Sequence, residues 1–119
     1  MQNVTLQQRT RRLARIRATI RGTALRPRLA VKASLQHLYV QVIDDASGRT
    51  LAAARDGELS AEARQGKTKT ERAAALGVLI AERAKAKGVT QVVFDRRDKR
   101  YHGRIRALAE GARQAGLIF

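Results

Sequence analysis

The sequence predicts an α/β fold: a mixed four-stranded sheet, made of an antiparallel meander plus one parallel strand, with two helices packed on one face and a basic N-terminal arm ahead of it. Three observations carry this. Residues 28–54 alternate apolar and polar side chains with the period of strands. After Thr68 the apolar period lengthens to that of helices, twice, on either side of the short run QVVFD. Residues 1–28 hold eight arginines and no acidic residue, so the chain divides into an arm, 1–27, and an α/β domain, 28–119.

The arm comes first. Residues 9–28 read RTRRLARIRATIRGTALRPR. Thr5 followed three residues later by Gln8 fits a capping box, and Gly22 stands where a helix would end in a left-handed residue. Leu6, Leu13, Ile16 and Ile20 recur at helical spacing as a narrow apolar stripe, with Arg11, Arg12 and Arg15 opposite. We read a basic amphipathic helix that folds on meeting its partner, because a self-repelling segment with so narrow a stripe has little to bury alone. An extended linker at Arg26-Pro27-Arg28 follows. Any block of like charge has a plain alternative, a solvated tail. Arginine favours binding over that alternative, since its flat guanidinium makes two parallel hydrogen bonds to a phosphate where lysine offers a point charge.

Residues 28–34 place Leu29, Val31 and Ala33 on one side and Ala30, Lys32 and Ser34 on the other. Residues 37–45 place Leu38, Val40 and Val42 against His37, Tyr39, Gln41 and Ile43. With Leu35-Gln36 as the hairpin loop, Ser34 faces His37, Lys32 faces Tyr39 and Ala30 faces Gln41 on one polar face. The other face is aliphatic and predicts the core. Asp44-Asp45-Ala46-Ser47-Gly48 is turn chemistry, and residues 50–54 (TLAAA) make a third antiparallel strand.

Residues 55–67 lack a period and predict a surface loop. Thr68 with Glu71 is a capping box for a helix reaching Lys87 and stopped by Gly88, with Ala73, Leu76, Gly77, Ile80 and Ala84 inward. A glycine in that stripe implies that the helix backbone lies close against the sheet. Residues 91–95, almost wholly apolar, predict an interior strand. A last helix from about His102 to Gly116 turns Ile105, Leu108, Ala109 and Ala112 inward. Strand, helix, strand implies a right-handed crossover and a parallel pairing.

Composition narrows function. The 119 residues suit one domain beside the arm. The formal charge is +15, and outside the first 28 residues 17 Lys and Arg still outnumber 10 Asp and Glu by seven. The partner is therefore polyanionic and contacts arm and domain alike. There is no cysteine, hence no disulfide and no thiolate metal site. No apolar run approaches the roughly 20 residues of a membrane span, and the arginine-rich N-terminus lacks the serine of a transit peptide. Asp44 and Asp45 are strand neighbours pointing to opposite faces, ill placed to share a metal. With two histidines and no Gly-rich phosphate loop, nothing marks an enzyme, a cofactor or a small-molecule substrate. Asp44, Asp45 and Asp95 read as turn formers and arginine partners.

Three groups of residues are candidates for contact with a polyanionic partner. The arm offers Arg9, Arg11, Arg12, Arg15, Arg17 and Arg21, continued by Arg26 and Arg28. The open sheet face offers Lys32, Ser34, His37, Tyr39 and Gln41, where an aromatic, an imidazole, an amide and a cation sit together and unstacked bases find flat surfaces. The segment after the fourth strand offers Arg96, Tyr101, His102, Arg104 and Arg106, at a strand's carboxyl end leading into a helix, where amides favour phosphate. Solvated charge is the alternative for each. The rival functions are a general nucleic-acid-binding protein, which this chain lacks a groove-reading module to support, and a membrane-surface helix, whose stripe here has neither Trp nor Phe.

The blocks RPRLAV, HLYVQVIDD, GRTLAAA, GVTQVVFDR and YHGRIRALAEGARQAGL, in this order, resemble the bacterial large-subunit ribosomal protein eighteen family over residues 9–119. The resemblance implies a non-enzymatic protein of the cytoplasmic ribosome. It would bind 5S rRNA in the central protuberance and touch 23S rRNA and the neighbouring 5S-binding large-subunit protein five. It also implies RNA contact by the arm, by Arg26 and Arg28, by Ser34, His37, Tyr39 and Gln41, and by Arg96, Tyr101, His102 and Arg104. The chain departs from the family pattern at Lys32-Ala33-Ser34-Leu35 and at Arg97-Asp98-Lys99-Arg100.

Overall fold

The computed structural model describes residues 11, 23, 25–65, 67–95 and 103–119. Strands β1 (Arg28–Ala33), β2 (Leu38–Asp44) and β3 (Arg49–Arg55) form the expected antiparallel meander, and β4 (Val93–Asp95) joins β1 in parallel. The sheet order is β3-β2-β1-β4. A 3-10 turn (Asp56–Glu58) and helices α1 (Ala61–Arg64), α2 (Lys69–Ala86) and α3 (Gly103–Gln114) complete the described elements. The predicted mixed sheet with two major helices on one face is what the chain forms.

The hairpin takes the register that a two-residue loop demands. Lys32 pairs with Tyr39 and Ala30 with Gln41, and the Ser34 amide donates to the His37 carbonyl at 2.9 Å. Alternation then sends Leu29, Val31, Leu38, Val40 and Val42 to the helix side, where all are buried. At the next turn Asp44 accepts from the Ala46 amide and the Ser47 hydroxyl, and Gly48 takes φ of +71°, a conformation open to glycine at little cost.

Helix α2 starts at the predicted capping box. The Thr68 hydroxyl accepts from the Glu71 amide at 3.2 Å, and the Glu71 carboxylate accepts from the Thr68 amide at 3.3 Å. Ala73, Leu76, Gly77, Ile80 and Ala84 are buried as the period required, and Ala81 joins them. Gly88, at φ of +80°, follows the C-cap residue Lys87. In α3, Ile105, Leu108, Ala109 and Ala112 are buried together with Gly111.

Three expectations need correction. The segment 55–67 is not a featureless loop: Ser60 caps α1 through its hydroxyl, and the adjoining Leu59 is buried. One apolar residue and one cap are too short a signal for periodicity to detect. The run 91–95 is not an interior strand either. β4 lies at the sheet edge, covered by the C-terminal residues through hydrogen bonds from Val92 N to the Ile118 carbonyl and from Ile118 N to the Thr90 carbonyl, both 3.0 Å. Its apolar character comes from Val92 entering the core and Phe94 stacking on Phe119 with ring centroids 5.4 Å apart.

The third correction concerns Gly77. It lies against α3, not against the sheet. A Cβ at this position would overlap the Leu108 carbonyl oxygen and come within 2.8 Å of the Ala112 amide nitrogen. Gly111 repeats the arrangement from the other side, facing the Ala74 carbonyl. The two glycines let the helix backbones touch, which packs both helices onto a sheet only four strands wide.

A candidate nucleic-acid interface on the open sheet face

The sheet face away from the helices is laid out in rows across three strands. Lys32, Tyr39 and Arg55 form one row, Ala30, Gln41 and Ala53 the next, and Arg28, Ile43 and Thr50 the third. Tyr39 is 44 % exposed and stands between two exposed cations. The alanines beside Gln41 keep the second row low, leaving a concavity of about 450 Å³ lined by Arg28, Ala30, Lys32, Tyr39, Gln41 and Ile43. A smaller hollow of about 180 Å³ lies on the β3 side, between Tyr39, Gln41, Ala53 and Arg55. Such a surface offers one aromatic plane, one amide able to donate and accept, and a positive charge on either side of the ring.

Arg55 escaped the sequence reading because it was assigned to a loop. Counting the register outward from the turn at 44–48 would have placed it, were it not for a slip between Val42 and Ile43 that shifts the pairing by one residue.

At the hairpin tip, the Ser34 hydroxyl accepts from the His37 amide at 3.1 Å, so it closes its own loop while remaining exposed. His37 is also exposed, with Nδ1 3.2 Å from the Asp56 carboxylate, whose other oxygen accepts from the Leu38 amide. Two cations from the helix layer grip the same tip. Lys69 Nζ donates to the Leu35 carbonyl and an Arg104 Nη2 donates to the Ser34 carbonyl, each at 2.8 Å. Arg104, predicted to contact RNA, therefore also holds the hairpin to α3.

Arg28 is placed differently from its predicted companions. Its side chain is only 12 % exposed. Nε and Nη2 bind both oxygens of Asp45 at 3.0 and 2.9 Å, and Nη1 reaches Asp95 at 2.9 Å. The hydrogen bonds that Arg28 donates to Asp45, helped by the one it donates to Asp95, raise its pKa above the ordinary value against the opposing effect of burial. Asp45 and Asp95 are the arginine partners, and Asp44 the turn former, that the sequence suggested.

Of the remaining candidates, Arg26 is exposed at a turn in which its amide donates to the Thr23 hydroxyl at 3.2 Å. Within the linker Pro27 is buried and its carbonyl accepts from the Val93 amide at 2.9 Å. Arg11 is exposed. Arg106 pairs with Glu110 one turn along α3, both exposed. Arg9, Arg12, Arg15, Arg17, Arg21, Arg96, Tyr101 and His102 lie outside the described residues. Among the described residues no three His, Cys, Asp or Glu side chains are grouped to hold a metal, and no helix is long and apolar enough to cross a membrane.

Comparison with known proteins bears on what binds here. A family model described as ribosomal L18 of archaea, bacteria, mitochondria and chloroplast matches residues 4–119. The chain is 58 % identical over 112 residues to large ribosomal subunit protein uL18 of Synechococcus elongatus, covering 92 % of each chain. It is 57 % identical over 106 residues to the protein of that name from Chlorobaculum tepidum, covering 89 % of this chain and 88 % of the other. To the one from Limosilactobacillus reuteri it is 54 % identical over 113 residues, covering 93 % and 92 %.

Proposed function

Because the chain belongs to the ribosomal L18 family, and so has a structural, RNA-binding role in the large ribosomal subunit and not an enzymatic one, we propose that it attaches 5S rRNA to 23S rRNA in the central protuberance of the cytoplasmic ribosome, beside the neighbouring 5S-binding protein five. The arm, residues 1–27, supplies affinity through phosphate contacts by Arg9, Arg11, Arg12, Arg15, Arg17, Arg21 and Arg26. The open sheet face, with Lys32, Tyr39, Gln41 and Arg55, supplies recognition. Ser34 and His37 present the hairpin tip to the RNA, and Arg96, Tyr101, His102, Arg104 and Arg106 extend the contact along the start of α3.

The observation that carries this reading is the row Lys32, Tyr39, Arg55 on a sheet face that no described element covers. An aromatic surface flanked by two cations matches an unstacked base flanked by its phosphates. The test is competition. Binding to folded 5S rRNA is expected to saturate and to survive an excess of duplex DNA, and equal competition by the two would overturn the proposal. Removing residues 1–27 is expected to weaken binding and flatten its dependence on salt while the preference for 5S rRNA remains, each lost duplex phosphate contact lowering the log-log slope by roughly 0.9.

A further inference from the structure

Arg28 was expected to contact RNA, yet the fold spends its guanidinium elsewhere. It sits at the start of β1, on the open face between Ile43 of β2 and Val93 of β4. Three of its hydrogen bonds go to two carboxylates, and both belong to junctions. Asp45 opens the turn between β2 and β3, and it receives the planar, two-bonded grip for which lysine has no equivalent. Asp95 is the last residue of β4, its side chain 1 % exposed, and it is followed directly by the segment 96–102. Arg28 itself follows Arg26 and the buried Pro27, where the arm joins the sheet. One guanidinium therefore joins the root of the arm, the root of the 96–102 segment and the turn at 44–48.

We propose that Arg28 is a positioning residue for RNA binding: through Asp45 and Asp95 it fixes the start of β1, the end of β4 and the turn at 44–48 to one another on the open face, and it does not act as a phosphate ligand. This rests on the reading that the chain binds 5S rRNA through the open sheet face. The chemistry separates positioning from direct contact. A phosphate ligand acts through its own positive charge, so any substitution that removes an acid should help a polyanion bind. A positioning network acts through geometry, so removing one of its acids should hurt, although the protein becomes more positive.

The experiment measures 5S rRNA binding by the full chain across a salt series, well below the unfolding temperature, for wild type, Arg28→Lys, Asp45→Asn, Asp95→Asn and the Arg28→Lys/Asp95→Asn pair. Arg28→Lys is expected to weaken binding about tenfold, in the middle of the range for groups sharing one network, with an unchanged salt slope. Asp95→Asn is expected to weaken it comparably despite the added net positive charge, and the pair to do no worse than its poorer member. Should Asp95→Asn fail to fold, the partly exposed Asp45 provides the same acid-removal test with less burial at stake. Binding by Arg28→Lys equal to wild type, as expected of a side chain that acts only through its charge on phosphate, or binding that is unchanged or tighter in the Asp→Asn variants, would overturn the proposal. Wild type competed away equally by duplex DNA would instead defeat the 5S reading itself, so the two failures are distinct.

Discussion

The two faces of the sheet are made from the same strands, residue by alternate residue, and share almost nothing else. On the helix side, Leu29, Val31, Val40 and Val42 meet Leu76, Ile80 and Leu108, all essentially inaccessible to water. On the other side Lys32, Tyr39, Gln41 and Arg55 stand in solvent. The helix face is stabilised by area removed from water and by close backbone approach, and neither depends on a partner. The open face gains little from folding, so its residue types are free to serve binding. Stability and recognition are thus separable one residue apart, and substitutions on each side should have different readouts.

The largest effect should come from the core. Leu108→Ala is expected to cost about 2–5 kcal/mol in denaturant unfolding, and binding by the remaining folded protein should hardly change. Gly111→Ala comes next, at about 1–3 kcal/mol. A helical Gly→Ala change is ordinarily favourable by roughly 1 kcal/mol, so a stabilised variant would show that α2 and α3 can separate and that the glycine contact is dispensable.

On the open face the pattern should invert. Tyr39→Ala is expected to leave unfolding within about 0.5 kcal/mol of wild type while weakening 5S rRNA binding by about 1–3 kcal/mol. A loss of stability without a loss of binding would erase the contrast between the faces. Lys32→Ala and Arg55→Ala should each act more gently, lowering the salt slope by about 0.7–0.9. A slope unchanged by Arg55→Ala would remove that residue from the interface.

The smallest effect concerns the start of α2. The Thr68 amide and then its hydroxyl hold the Glu71 carboxyl below its ordinary pKa. A depressed folded-state pKa adds stability that is complete above the unfolded value of about 4.3 and disappears as pH falls through the folded value. The stability difference between wild type and Glu71→Ala should therefore be visible near neutral pH and vanish in acid. RNA binding at neutral pH should be unaffected, because the capping box lies with the helix layer.

Legibility followed the range of each interaction. The hairpin register, the α2 capping box and both buried helix stripes were read correctly because each is set within a few residues by alternation, by a loop of fixed length or by a cap. The chemistry of the open face was legible for Lys32, Tyr39 and Gln41, which follow from the same alternation. Arg55 was missed because its row depends on a strand paired through an irregular register. The place of β4 was misread because an apolar run looks alike at a centre and at an edge covered by another segment.

The sequence by itself determined the alternation, the capping box of α2, the charge and the family, since these are properties of neighbours along the chain. Only the tertiary structure decided that Gly77 answers to α3, that residues 90–92 pair with Ile118, and that Arg28 is enclosed by Asp45 and Asp95. Each of these joins residues between 17 and 67 positions apart or opposes two helices. Partners so distant are selected by packing, and packing exists only after the chain has folded.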